Sequence, residues 1–94
     1  MVRYRVNIPQ HVADAITHLP PAIKQDAKQA IRILCNDPHA GEPLKRELHG
    51  LWKYRIRRFR IIYRIVVEER LLQIMAIGPR INIYDVVRGL HRRD

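Results

Sequence analysis

Residues 50–65 read Gly50-Leu51-Trp52-Lys53-Tyr54-Arg55-Ile56-Arg57-Arg58-Phe59-Arg60-Ile61-Ile62-Tyr63-Arg64-Ile65, and this stretch decides the fold. Large apolar residues alternate with cations, which is the period of a half-buried strand and not of a helix. Trp52, Tyr54 and Ile56 fall on one face, with Lys53, Arg55 and Arg57 on the other. Beyond Arg58 the alternation resumes. Phe59, Ile61, Tyr63 and Ile65 form an apolar series, while Arg58, Arg60 and Arg64 share the opposite face with Ile62. The stretch predicts two paired strands, Trp52–Arg57 and Phe59–Val67. In register, one face of that pair holds up to six cations. Like charges at this density repel unless something anionic compensates. A solvated face with Arg stems covering apolar surface accounts for one or two such residues, and an anion-binding face accounts for all of them.

Working outward, Leu71–Ile77 predicts a third strand, joined to the second by a hairpin at Glu68-Glu69-Arg70. Upstream, Val2–Ile8 alternates as a strand that Pro9 ends. A short helix follows, turning Val12, Ala15, Ile16 and Leu19 inward. Pro20-Pro21 breaks it and opens a second helix over Ala22–Leu34. There Ile23, Ala27, Ala30, Ile31 and Leu34 form one continuous apolar stripe, and Asn36-Asp37-Pro38 stops the helix. His39–Gly50 reads as a loop. The tail Arg80–Asp94, after Gly78-Pro79, has room for one more strand or a helical turn. The predicted order is β-α-α-β-β-β, an α+β layer in which a helical hairpin packs on one small, antiparallel-rich sheet.

The chain has 94 residues, which predicts a single domain spanning 1–94. A domain of this size buries about 60–65% of its unfolded surface, so a large ligand must sit on the outside. The formal net charge is +9. Residues 1–44 carry net +1 and residues 45–94 net +8, which places the partner-facing surface in the second half. Fourteen of the eighteen basic residues are Arg, the side chain suited to bidentate phosphate or carboxylate recognition. The single cysteine, Cys35, excludes a disulfide framework and a multi-cysteine zinc site. No run approaches the ~20 apolar residues of a membrane helix. The N-terminus also lacks a signal peptide's apolar region. The expectation is a cytoplasmic protein that does not engage a membrane.

The stretch 50–65 resembles the strand pair of the RelE/ParE superfamily of toxins, and Gly78-Pro79-Arg80-Ile81-Asn82-Ile83-Tyr84 is similar to the G-x-R-x-x-x-Y ending of its RelE branch. The opening Tyr-Arg-Val strand, the Leu-Pro helix junction, the Asp-Pro helix stop and the approach from Leu44-Lys45 to Leu48–Gly50 match in order and spacing. The resemblance implies a fold like small microbial ribonucleases and the toxic half of a type II toxin–antitoxin pair. It further implies an acidic antitoxin partner in a hetero-oligomeric complex. RelE-branch members cleave messenger RNA on the ribosome, whereas ParE-branch members inhibit DNA gyrase by protein contact. Both readings stand at this point, the RelE-like ribonuclease being favoured, with a bare nucleic-acid-binding module or an inactive relative as a third.

Cleavage by 2′-hydroxyl attack needs a base, cations to hold charge on the phosphate oxygens, and an acid for the leaving 5′-oxygen. Arg60 and Arg80, carried over from matching family positions, are the expected phosphate stabilisers. Arg55 and Arg57 fall where relatives place basic catalytic residues, and Tyr84 stands at the tyrosine of the RelE branch. Lys53, Arg58, Arg64 and Lys45 are the further RNA-binding candidates. Pro79 departs from the family, occupying a place where many relatives carry His or Lys. The five histidines, His11, His18, His39, His49 and His91, are scattered, and the acidic residues form no two-metal cluster. No metal or other cofactor is expected. Lys24, Lys28 and Arg32 form a basic stripe along the second helix, read mainly as a solvated face.

Overall fold

The computed structural model describes residues 3–92, with side chains described for 3–90. The predicted start of the first strand at Val2 and the tail residues Arg93 and Asp94 lie outside the described residues. The elements, in chain order, are β1 (Arg5–Asn7), α1 (Gln10–Thr17), α2 (Pro21–Asn36), β2 (Glu42–Pro43), β3 (Trp52–Ile56), β4 (Phe59–Val66), β5 (Leu71–Pro79) and α3 (Arg80–Arg92). The strands form one five-stranded sheet in the order β1-β5-β4-β3-β2. β1 runs parallel to β5, and the other neighbours are antiparallel.

One face of the sheet is covered by α1 and α2. Val12 of α1 and Ile23, Ala27, Ala30, Ile31, Leu34 and Cys35 of α2 pack with Ile56, Ile61, Tyr63, Leu72, Ile74 and Ile77. The α2 stripe is the one its sequence spacing predicts. Leucine and isoleucine burial of this kind contributes roughly 1.5–3 kcal/mol per side chain. Tyr63 is fully buried and donates a 2.6 Å hydrogen bond to the Pro38 carbonyl, which fixes the turn after α2 against the sheet.

The other face carries a smaller core of Leu48, Leu51, Ile62 and Ala76, covered by Ile83 and Val87 of α3. The segment read as one more strand or a helical turn is thus a 13-residue helix. Ile83, Val87 and Leu90 recur at i, i+4 and i+7 and supply the inward stripe. A bulge in β5 makes the two faces compatible. Ile62 pairs with Ala76 and Tyr63 with Ile74, leaving Met75 as an extra residue. The alternation therefore resets, and Ile74 and Ile77 share the α1–α2 face while Ala76 turns toward α3.

Candidate functional site

The β3–β4 connection is a two-residue turn, Arg57-Arg58, and Arg57 takes a left-handed φ of 55°. That conformation is costly for a side chain with a Cβ, and it breaks the alternation of β3. Arg57 therefore does not continue the Lys53–Arg55 face as predicted. Its Nε reaches across to Asp26 of α2 at 2.9 Å. On the neighbouring strand the start of α3 is anchored to the same turn, because the Arg80 amide donates to the Arg58 carbonyl at 2.8 Å. One backbone bond thereby brings two basic segments, far apart in sequence, to one end of the sheet.

Between them lies an open cleft of about 800 Å3 lined by Arg55, Arg57, Arg58, Arg60, Pro79, Arg80, Ile81 and Tyr84. Five of its eight lining residues are arginines, and none is a carboxylate. Arg55 and Arg60 are direct cross-strand partners. Arg60 Nη1 donates to the Arg57 and Phe59 carbonyls at 3.0 and 2.8 Å, and Arg55 Nε donates to the Arg57 carbonyl at 3.3 Å. The first turn of α3 carries no acidic residue, so the positive end of the helix also adds to the field at this end of the sheet. Ile81 is 91% exposed at the rim, and Tyr84 is half-buried one turn further along.

All five residues assigned to catalysis from the sequence line this cleft, together with Arg58. The remaining cations do not. Lys53 shares the face of Arg55 but sits further along β3, opposite Ile62 and Glu42. Lys45 is exposed in the loop ahead of the turn Arg46–Leu48. Arg64 is four residues beyond Arg60, about 13 Å along the strand. It lines a separate groove of about 290 Å3 with His11, Gln73, Met75 and Leu90. Helix α3 lies over the sheet between these two ends, so the single face of six cations predicted from alternation is divided.

No described histidine lines the cleft. His11 Nε2 bonds the Met75 carbonyl at 2.9 Å, His18 Nδ1 bonds the Asp14 carbonyl at 2.8 Å, and His39 packs edge-on against Trp52 at 5.1 Å. No three His, Cys, Asp or Glu side chains converge among the described residues. Cys35 is buried in the α2 core, and burial pushes its thiol up from the usual value. No helix among the described residues is long and apolar enough to cross a membrane.

A five-stranded sheet with helices on both faces matches one class of protein. The chain belongs to the ParE-like toxins of type II bacterial toxin–antitoxin systems, whose family model matches residues 6–88. Within that class it is a RelE-like toxin. It is 31% identical to a chain of the toxin–antitoxin complex RelBE2 from Mycobacterium tuberculosis, with a TM-score of 0.76 over 84% of this chain and 100% of that one. A chain of the archaeal RelE–RelB complex from Pyrococcus horikoshii is 28% identical, with a TM-score of 0.70 over 85% and 97% of the two chains. A putative RelE-like toxin protein of Escherichia coli is 25% identical over 81 residues, covering 84% of this chain and 85% of that protein. The superfamily resemblance and the α+β fold expected from the sequence are both borne out, with α3 and the two-residue strand β2, inside the segment read as a loop, added to the predicted order.

Proposed function

We propose that this toxin is a cytoplasmic, metal-independent endoribonuclease that cleaves messenger RNA on the ribosome and is held inactive by an acidic antitoxin. The observation that carries the reading is the cleft of five arginines with Tyr84 and no carboxylate in its lining. In the proposed reaction the 2′-oxygen bonds to the adjacent phosphorus as its proton passes to water. The bond to the 5′-oxygen breaks as that oxygen takes a proton from water, leaving a 2′,3′-cyclic phosphate and a 5′-hydroxyl. Negative charge builds on the non-bridging oxygens as this happens. Arg60 and Arg80, approaching from different segments, stabilise that charge, and a preorganised donor of this type is worth about 10²–10³ in rate. Arg55, Arg57 and Arg58 hold the flanking phosphates. Tyr84 stacks on a base or hydrogen-bonds at the scissile step. Arginine is a poor proton acceptor, so the cleft's own contribution is charge stabilisation and positioning, with the ribosome supplying alignment of the message.

An antitoxin partner is supported by the relatives solved as toxin–antitoxin complexes and by the charge of +9, which favours an acidic, wrapping chain. The test is translation in vitro followed by primer extension along the message. Wild-type protein is expected to leave discrete new ends that depend on ribosomes. Intact messages together with gyrase trapped on cut DNA would overturn the ribonuclease reading.

A further inference from the structure

Beside the arginine cleft, between α2 and β3, runs a second groove of about 250 Å3. Its apolar lining is Ala30, Ile33 and Ile56, and its polar groups are Asp26, Gln29, Tyr54, Arg55 and Arg57. On α2, Asp26, Gln29, Ala30 and Ile33 fall at i, i+3, i+4 and i+7, one helix face turned to the hairpin. Ile33 is 40% exposed here, a large apolar side chain left partly uncovered. Asp26 Oδ2 holds Arg57, but Asp26 Oδ1, the Gln29 amide and the Tyr54 hydroxyl have no hydrogen-bond partner among the described residues. Arg55 and Arg57 line both this groove and the cleft, so the two are adjacent.

Each feature restricts what the groove takes. The Asp26 carboxylate sets this groove apart from the cleft, whose lining has none. The volume suits one ring system and is small for a longer ligand. Tyr54 and Ile33 offer an aromatic edge and an apolar wall against which a flat ring packs. A carboxylate oxygen beside an amide reads a ring edge that presents an amino donor next to an acceptor. We propose that the groove is a base-recognition subsite, one step along the RNA from the scissile phosphate. It takes a nucleobase bearing an exocyclic amino group and disfavours uracil. Asp26 is the specificity-determining residue, Gln29 its partner, and Arg57 links the base site to the phosphate site. The inference rests on the ribonuclease reading and adds to it where along the message the enzyme cuts.

The experiment is primer extension on a message library randomised around the cleavage position, in the same ribosome-containing system. At one flanking position wild type is expected to disfavour uracil roughly 10-fold or more. Asp26→Asn places an amide donor in the groove and should bring uracil to within about twofold of the other bases at that position alone. Gln29→Ala should weaken the same preference. Arg57→Gln breaks the ion pair but leaves the carboxylate, so cutting slows while the preference survives. Cleavage with a base preference unchanged by Asp26→Asn overturns the subsite and leaves the ribonuclease reading standing. So does an unchanged pattern accompanied by weaker capture of the co-expressed antitoxin, which would make the groove a protein-docking site. Messages left intact by wild type would overturn both proposals.

Discussion

Arg55 and Arg60 face each other directly across the β3–β4 ladder, and both guanidinium groups donate to one acceptor, the Arg57 carbonyl, at 3.3 and 3.0 Å. Like charges opposed in this way destabilise a strand pair by a few tenths of a kcal/mol or more. The turn carbonyls hold Arg60 in place in spite of this. Arg60→Ala is accordingly expected to leave thermal stability unchanged or slightly raised. Growth arrest should be relieved and cleavage should fall about 10²–10³-fold. Arg80→Ala should do the same through the other wall of the cleft. Circular dichroism melts beside primer extension check both statements, and full toxicity in the folded double mutant would remove the cleft from consideration.

Tyr84 sits one turn into α3, on the cleft side of the helix. Tyr84→Phe keeps the ring and loses the hydroxyl, whereas Tyr84→Ala loses both. Phe is expected to slow cutting with little change in ribosome binding, and Ala to weaken both. Binding itself should fall steeply with salt, by about one logarithmic unit per log unit of salt for each phosphate contact. Equal behaviour of the Phe and wild-type proteins in single-turnover cleavage would confine Tyr84 to stacking.

Burial pushes the Tyr63 hydroxyl up to about 12 from the usual 10, the Gly41 amide opposing the shift. Between these values the folded state keeps its proton and the unfolded chain loses it. Stability is therefore fully present below pH 10 and declines as pH rises toward 12, by up to about 3 kcal/mol. Tyr63→Phe should flatten this alkaline limb. It should also lower stability at neutral pH by about 1–3 kcal/mol, because the Pro38 carbonyl loses its donor in the core. Urea midpoints from pH 8 to 12 measure both effects.

Gly41 is required by close approach. A Cβ there would overlap the Lys53 carbonyl oxygen of β3 and the hydroxyl of Tyr63. Neither atom is the free end of a flexible chain, since one is ladder backbone and the other is tied to Pro38. Gly41→Ala is expected to cost about 1–3 kcal/mol, lowering the melting midpoint by at least ~4 °C in a domain of this size. The cleft residues lie elsewhere, so cleavage per folded molecule should be retained. An unshifted midpoint would contradict the assignment.

The strand pair, the α2 stripe and the gathering of Arg55, Arg58, Arg60, Arg80 and Tyr84 were legible because each follows from a local period or a matched motif. Three features were not. Helix α3 presents Ile83, Tyr84, Val87 and Leu90 to the sheet and also carries exposed Ile81 and Val86, so its periodicity is blurred. The Met75 bulge depends on which residues of β4 it meets, which no single strand encodes. The left-handed turn at Arg57 has no Gly or Asn to announce it, and it sends that side chain to Asp26 and not to the predicted face. The separation of Arg64 from Arg60 follows from the first of these, since only the helix lying over the sheet divides them.

The parallel pairing of β1 with β5 has a consequence for the order in which the molecule assembles. Asn7 bonds Gln73 at 2.8 Å across a separation of 66 residues. Contacts so distant along the chain close large loops and belong to the slow phase of folding. A nascent chain that stops short of Arg80 has the β3–β4 arginines without the helix that completes their cleft. Completion of the cleft is therefore a late event, reached when β5 has docked between β1 and β4 and α3 has settled behind it. During synthesis the emerging chain would be a polycation well before its arginine cleft is complete.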